Sequence, residues 1–524
     1  MSAPPPKVKG LRAIAVAMRS WRTASVAIMS FSSGLPLGLV YVAIPDWMRS
    51  IGVDLKVVGL ITLAQAPWSF KVLWAPLLDR YVPPFLGRRR GWAAIAQVAL
   101  FAIMLVLAGV ARHPESPWVI GALALAVAFA AATQDIAVDA YAVDVLRPDE
   151  QGVASGFRTA SYLVGMRLAG AIAITVAAWT SWPAVLAMMA CLFVPLVLTT
   201  CASPKPDETE QPPRTLRDAV WQPFVGFLSR PLALQILAFV LCYKLSDVMA
   251  NALLRPFLHD MGYNEVDRGV LLGGVTWLST AVGAVLGGLM TTGLGVGRSL
   301  WICGIVQALS NIGYVAVALS PVNRPLMLAA TGLETLTSGM GTGAFSVLLL
   351  RLTQKRFSAT QYSLMSSLFA LPRILSGPVA GFAVDAVGWV VYFWIAVAAG
   401  IPGLLLLRRF APWGGVERDF QAEASTEDRG APITTRALVV RGVAAGLLAF
   451  VGATLLSATL AALKGLRATP PQAFDLGHAL VGLTRLETPT DGVRLLGLVI
   501  IGAVGGLFTA AVLAARRGGD RRAV

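Results

Sequence analysis

Charge is scarce in this sequence. Only 14% of its 524 residues are Asp, Glu, Lys or Arg, against about a quarter in a soluble domain. Hydrophobic residues make up 56%, with a mean hydropathy of +0.69, which excludes an ordinary soluble chain. Cysteine is nearly absent: Cys191, Cys201, Cys242 and Cys303 all lie in or beside apolar runs. They read as small core residues, and a disulfide scaffold or a cysteine metal site is excluded. Histidine is rarer still. His113, His259 and His478 fall in loops, with no Ser, Cys or metal-ligand spacing around them, so a nucleophile–base pair or a zinc site finds no support. No cofactor is implied. Acids are the scarcer sign, 28 against 43 bases, for a net charge of +15. In a membrane chain that excess sets orientation, and it implies no nucleic-acid partner.

What the sequence does have is long apolar runs, many of them beyond the roughly 18 residues that span a bilayer. They predict an all-α polytopic membrane protein with about 14 spans, near 25–44, 57–78, 92–111, 118–141, 153–178, 184–202, 232–255, 267–291, 299–319, 325–350, 361–384, 389–407, 437–463 and 493–515. Most Lys and Arg fall in alternate connections, as the positive-inside rule expects when the N-terminus is cytoplasmic. Fourteen spans return the C-terminus, with Arg516, Arg517, Arg521 and Arg522, to that side. The basic start (Lys7, Lys9, Arg12, Arg19, Arg22) precedes a full-length span with no small-residue cleavage site, which argues against a signal peptide. The expected organisation is a first six-helix half (1–202), a proline-rich cytoplasmic linker (203–231), a second six-helix half (232–410), a cytoplasmic connector (411–436) and an appended hairpin with its tail (437–524). Within the linker, Trp221–Ser229 reads as a segment along the membrane surface.

Ionisable residues inside spans are costly and mark function or a compensating pair. Lys71 lies in span two beside Gln65, Pro67 and Trp68; its plainer reading is snorkelling to the surface. Span four reads ATQDIAVDAY. Asp135 and Asp139 are four apart, hence on one helical face, with Gln134 adjacent. Span five holds Arg158, Tyr162 and Arg167. Arg167, the deeper arginine, suits a carboxylate, either a helix-joining acid or a substrate. In span seven, Tyr243 precedes Lys244, and Lys244 and Asp247 are three apart, the spacing of a neutralising pair. Glu334 sits mid-span in span ten with no base near it in sequence, and Arg373 lies inside span eleven. In span one, Gly34, Pro36 and Gly38 either pack a neighbouring helix closely or bend the span. Between spans two and three runs LWAPLLDRYVPPFLGRRRGW.

That connection, with Asp79–Arg80 followed by Arg88, Arg89 and Arg90, resembles the loop 2–3 signature of the major facilitator superfamily. Its two-proline form, together with SGLP, QDIAVDAY, YKLSD, FSATQY and GPVAG in the expected order, resembles the AmpG-type muropeptide permeases. The resemblance covers roughly 25–407 and leaves the appended hairpin unmatched. It implies a major facilitator fold and an inner-membrane secondary transporter that imports anhydro-muropeptides from periplasm to cytoplasm for cell-wall recycling, by proton symport with alternating access. The partners implied are the muropeptide, protons and the lipid bilayer.

In that frame Lys71, Gln65, Trp68, Gln134, Arg158, Tyr162, Arg167, Tyr243, Lys244 and Arg373 are the expected substrate-binding residues. Asp135, Asp139, Asp247 and Glu334 are the expected proton-coupling acids, with Asp135 favoured. Asp79, Arg80, Arg88, Arg89 and Arg90 are the expected gate. The competing substrate is acetyl-CoA or another anionic conjugate. Remoter alternatives are an integral-membrane enzyme and a receptor.

Overall fold

The computed structural model describes residues 11–111, 116–206, 211–230, 232–414, 434–466, 473–485 and 489–517. Helices dominate, and no strand occurs among the described residues. The chain divides into two compact units. One comprises 1–219 and 234–421; the other comprises 220–233 and 422–524.

The first unit holds the twelve predicted core spans. In chain order they are α1 (Trp21–Ser50), α2 (pieces between 55 and 80), α3 (Gly87–Val110), α4 (Pro117–Val145), α5 (Gln151–Trp179), α6 (Trp182–Ala202), α7 (Ala233–Asp260), α8 (Glu265–Leu294), α9 (Val296–Leu319), α10 (Arg324–Leu352), α11 (358–387) and α12 (389–410). Among the described residues, eleven helices are long and apolar enough to cross a membrane. The other three expected spans coincide with α2, α10 and α11. α11 and α12 join at Gly388, which turns the chain at φ +74°. Only glycine adopts that conformation without a Cβ penalty.

Several spans depart from a continuous helix, α2 and α7 among them. α2 breaks into Leu55–Ile61, Thr62–Gln65, Ala66–Phe70, Lys71–Leu73 and Ala75–Arg80. Pro67 and Pro76 each fall in the first turn of a new piece; proline lacks the N–H and clashes with the preceding turn. α7 breaks at Tyr243–Lys244 and again at Leu253, where Pro256 follows. Broken backbone at membrane depth survives only where protein satisfies it. Here both breaks carry a buried lysine, Lys71 and Lys244.

Glycine brings backbones together between helices. A Cβ on Gly34 would lie 2.1 Å from the Tyr162 carbonyl oxygen, and one on Gly38 would lie 2.0 Å from that of Met166. The close packing expected for span one therefore occurs. Its small residues pack against α5, and the helix widens into a π turn at Leu39–Ala43 just after Pro36 and Gly38. α5 widens likewise at Leu168–Ile172, and the two wide turns meet.

The second unit contains the end of the linker helix Leu216–Leu228, then α13 (Thr435–Leu466), α14 (Leu476–Thr484) and α15 (Pro489–Arg517). α13 and α15 pack as a pair. Gly442 and Gly446 face Gly506 and Gly502, with a Gly446 Cβ position 2.8 Å from the Gly502 carbonyl. Small residues four apart on both helices permit that approach. α14 is a short helix in the connection, capped by the Asp475 carboxylate, which accepts from the His478 N–H at 2.8 Å.

Candidate functional site

Two groups of buried ionisable residues lie inside the first unit, and a third closes one end of it. The first group begins at the α2 break. The Lys71 ammonium donates to Asp135 Oδ2 at 2.5 Å and to Asp139 Oδ2 at 3.1 Å. Lys71 does not snorkel: it is buried and spent on the two acids that share one face of α4. Asp139 accepts a second charged bond from Arg158 of α5. Arg158 also donates to the Tyr362 hydroxyl of α11 at 3.1 Å and lies over its ring at 5.2 Å. A ladder Asp135–Lys71–Asp139–Arg158–Tyr362 therefore runs from the first six spans into the second six. Of the two α5 arginines, it is Arg158 that meets Asp139 of α4. Arg167 is half-buried, and its charged neighbour is Arg255 of α7.

The second group belongs to the later spans. Lys244 Nζ lies 2.9 Å from Asp247 Oδ2, the i,i+3 pair that the spacing predicts. It also donates to the Ser338 carbonyl at 2.9 Å, the Ser338 hydroxyl at 3.1 Å and Gln307 Oε1 at 3.4 Å. Glu334 is 0% exposed and is not isolated. The Asn251 amide donates to Glu334 Oε1 at 2.8 Å and to Asp247 Oδ1 at 3.2 Å, and the Tyr314 hydroxyl donates to Glu334 Oε2 at 3.3 Å. These partners lie far from Glu334 in sequence, which is why its surroundings read as empty of polar groups.

The third group is the loop 2–3 end. Asp79, 0% exposed, accepts from the N–H of Ala359 at 3.2 Å, the N–H of Thr360 at 2.8 Å and the Thr360 hydroxyl at 2.6 Å. It caps the first turn of α11, whose N–H groups have no partner within their own helix. Arg89 donates to Asp79 Oδ1 and to Asp144 Oδ2, at 2.8 and 2.7 Å, and to the Ser358 hydroxyl at 2.6 Å. Arg88 reaches the carbonyls of Lys355 and Arg356 at 3.3 and 3.2 Å. Arg90 instead ties down the end of α6 through the Ser203 carbonyl at 2.7 Å, and Arg80 lies over the Tyr81 ring at 5.5 Å. Leu86 and Gly87, both at positive φ, turn the chain after Pro83–Pro84 so that Arg88 and Arg89 enter α3 facing inward. Sequence reading missed Asp144, Ser358 and Thr360. The signal for Asp144 was an acid one turn beyond Asp139, at the end where the arginines cluster.

Several residues expected to bind substrate are placed elsewhere. Gln134 is 0% exposed and donates to Ser32 of α1, which also accepts from Gln97 at 3.1 Å. It ties helices together inside the first half. Tyr243 is buried in an aromatic cluster, stacked on Phe345 at 5.5 Å, with its hydroxyl on the Leu300 carbonyl at 3.0 Å. Gln65, Trp68 and Tyr162 are half-buried. Trp68 meets Tyr41 edge-on at 5.7 Å, and its indole N–H has no acceptor among the described residues. Arg373 lies on α11, with its side chain outside the described residues.

The sequence profile of the Major Facilitator Superfamily matches residues 26–377. The anhydromuropeptide permease of Escherichia coli (strain K12) is 39% identical over 388 residues, covering 74% of this chain and 79% of that protein. An uncharacterized protein of Haemophilus influenzae is 33% identical, covering 74% and 93%. The putative transporter AmpG 4 of Rickettsia conorii is 28% identical, covering 74% and 96%. Among solved structures, the proton:xylose symporter XylE superposes with a TM-score of 0.57 at 11% identity, covering 75% of this chain and 96% of that one. A bacterial homologue of the iron transporter ferroportin in an outward-facing state gives 0.55 at 15%, covering 74% and 98%. At those identities the structures speak to the fold alone.

Proposed function

Because this chain belongs to the major facilitator superfamily, and within it to the family of the anhydromuropeptide permease, we propose that it imports anhydromuropeptides from periplasm to cytoplasm for cell-wall recycling. It is a multi-pass membrane transporter, not an enzyme. In this reading it resides in the bacterial inner membrane with both termini cytoplasmic, and works by proton symport with alternating access.

The observation that carries the reading is the buried ladder from Asp135 to Tyr362. A carrier that alternates needs polar contacts that join its halves in one state and separate in another. Arg158–Tyr362 is one such contact, and Asp79–Thr360, two residues earlier on α11, is another. In the proposed orientation the Asp79 latch closes the cytoplasmic end. Asp79, Arg88 and Arg89 then govern the cycle without touching substrate. Arg167 and Arg373 supply positive charge for stem-peptide carboxylates. Trp68 beside Tyr41 offers an aromatic face and a free indole N–H to a sugar ring. The coupling acid is drawn from Asp135, Asp139, Asp247 and Glu334.

The test is uptake of labelled anhydromuropeptide into proteoliposomes holding the full chain, with and without an imposed pH gradient, inside alkaline. Accumulation that follows the gradient supports the reading. Absence of both exchange and accumulation, or competition by acetyl-CoA in place of muropeptide, overturns it in favour of another anionic conjugate.

A further inference from the structure

The two buried groups differ in charge balance. The first sets two acids, Asp135 and Asp139, against two bases, Lys71 and Arg158, all in direct contact. Every member can be ionised and the group stays neutral. Among the described residues, the second sets two acids, Asp247 and Glu334, against one base, Lys244. Lys244 is spent on Asp247, Ser338 and Gln307, and the bonds that Glu334 receives come from neutral groups, Asn251 and Tyr314. An unbalanced carboxylate with no exposed surface is expensive, and the simplest relief is to take up a proton.

We propose that the Asp247–Glu334 pair, bridged by the Asn251 amide, is where this carrier binds the transported proton. This rests on reading the chain as a proton-driven transporter. The groups around the pair suit the task. On α7, Lys244 and Asp247 lie just past the helix break, and Asn251 follows one turn later. On α9, Tyr314 presents a hydroxyl that can donate to a carboxylate or accept from a carboxylic acid, and Cys303 faces Lys244. On α10, Glu334 is followed one turn later by Ser338, which accepts from the lysine. On α12, Tyr392 is spent on the Met249 carbonyl. α11, which also packs against α7, carries Arg373 and the exposed Asp385, and Arg255 lies further along α7. The break at Tyr243–Lys244 lets the segment carrying both Lys244 and Asp247 shift against α10. If that shift brings the ammonium towards Glu334, the acid can ionise and release its proton. Sequence reading favours Asp135, whose carboxylate is instead held by Lys71.

The experiment compares substrate exchange with pH-driven accumulation of labelled anhydromuropeptide in proteoliposomes of the full chain. For Glu334→Gln the expected result is exchange within a few-fold of wild type and complete loss of accumulation above the equilibrium ratio. Asp247→Asn is the second variant, and it serves if Glu334→Gln is not recovered folded. Removing either acid restores balance around Lys244, so it too must lose accumulation. Accumulation that persists in Glu334→Gln or in Asp247→Asn overturns the assignment. Loss of exchange together with accumulation, at an unchanged melting temperature, also overturns it by making the pair part of substrate binding. Failure of the wild-type chain to exchange anhydromuropeptide at all would instead sink the transport reading.

Discussion

Asp79→Asn should unlatch the loop 2–3 end without unfolding the protein. Asp79 accepts four bonds, and three of them, from Ala359 N–H, Thr360 N–H and the Thr360 hydroxyl, come from α11 in the other half. The fourth, from Arg89, stays within the first half. A hydrogen bond to a charged group is worth about 1.5–3 kcal/mol. An asparagine oxygen keeps part of one and forfeits the charge at the helix N-terminus, worth about 0.3–2 kcal/mol. Water recovers some of the loss once the end opens. The net shift is about 2–4 kcal/mol towards the unlatched state, or roughly 30- to 700-fold in the equilibrium at 1.4 kcal/mol per factor of ten. Arg89 keeps its 2.7 Å bond to Asp144, so no buried cation is orphaned and the fold should survive.

The assay is a spin-label distance between Phe85→Cys and Lys355→Cys, both at exposed positions on the two sides of the latch. Asp79→Asn should move the distribution to longer separations. Thr360→Ala should move it the same way by less, and the double variant by less than the two together, because the residues share one bond. Transport should slow while muropeptide affinity stays within a few-fold. An unchanged distance distribution in a well-folded Asp79→Asn protein would refute the latch.

Further outcomes are expected. Tyr362→Phe removes the hydroxyl that Arg158 reaches across the halves but keeps the ring beneath it. It should cost about 1 kcal/mol of the joined state, read as a smaller shift between the same labels. Gly38→Val would press a side chain onto the Met166 carbonyl and the neighbouring π turns, so thermal unfolding should fall by an amount that reflects at least the 1–3 kcal/mol or so of an overpacked site; an unchanged midpoint would show that α1 and α5 are not held as described. Ending the chain after residue 421 should leave the first unit folded and exchanging substrate, and total loss of exchange in a folded, truncated protein would give the hairpin a transport role. Cysteine labelling should place Phe474→Cys, which is exposed, on the opposite side of the membrane from the C-terminus.

The parts legible in the sequence were those fixed by local spacing. Lys244 and Asp247, three apart, do pair at 2.9 Å. Asp135 and Asp139, four apart, do present their carboxylates to one cation. Proline and glycine marked the disturbed stretch of α1 and the fragments of α2. Partners set by tertiary structure were not legible. Thr360 lies 281 residues from the acid it bonds, and Tyr362 lies 204 from Arg158. Depth along a span misled as well. Arg167 looked better placed than Arg158 to meet the acids of α4, but the shorter sequence separation puts Arg158 beside Asp139. Gln134 and Tyr243 show a further limit. A polar side chain next to a functional residue points a different way round the helix, and both are spent on holding neighbouring helices.

The two lysines show how the halves divide the work. Each sits at a break in its helix, and each ammonium is buried against an acid at 2.5–2.9 Å. Lys71 is met by two carboxylates and balanced by Arg158, so removing any one member leaves a buried charge uncompensated, at a cost of about 3–5 kcal/mol. Such a group resists change of protonation and holds a fixed geometry, which suits a strut that docks onto Tyr362. Lys244 has one carboxylate in hand and a second, Glu334, held by neutral donors. There the cheaper response to a shift of helices is a proton gained or lost. Glu334→Gln and Asp247→Asn test the second arrangement because each removes one of two acids from a group with one described cation.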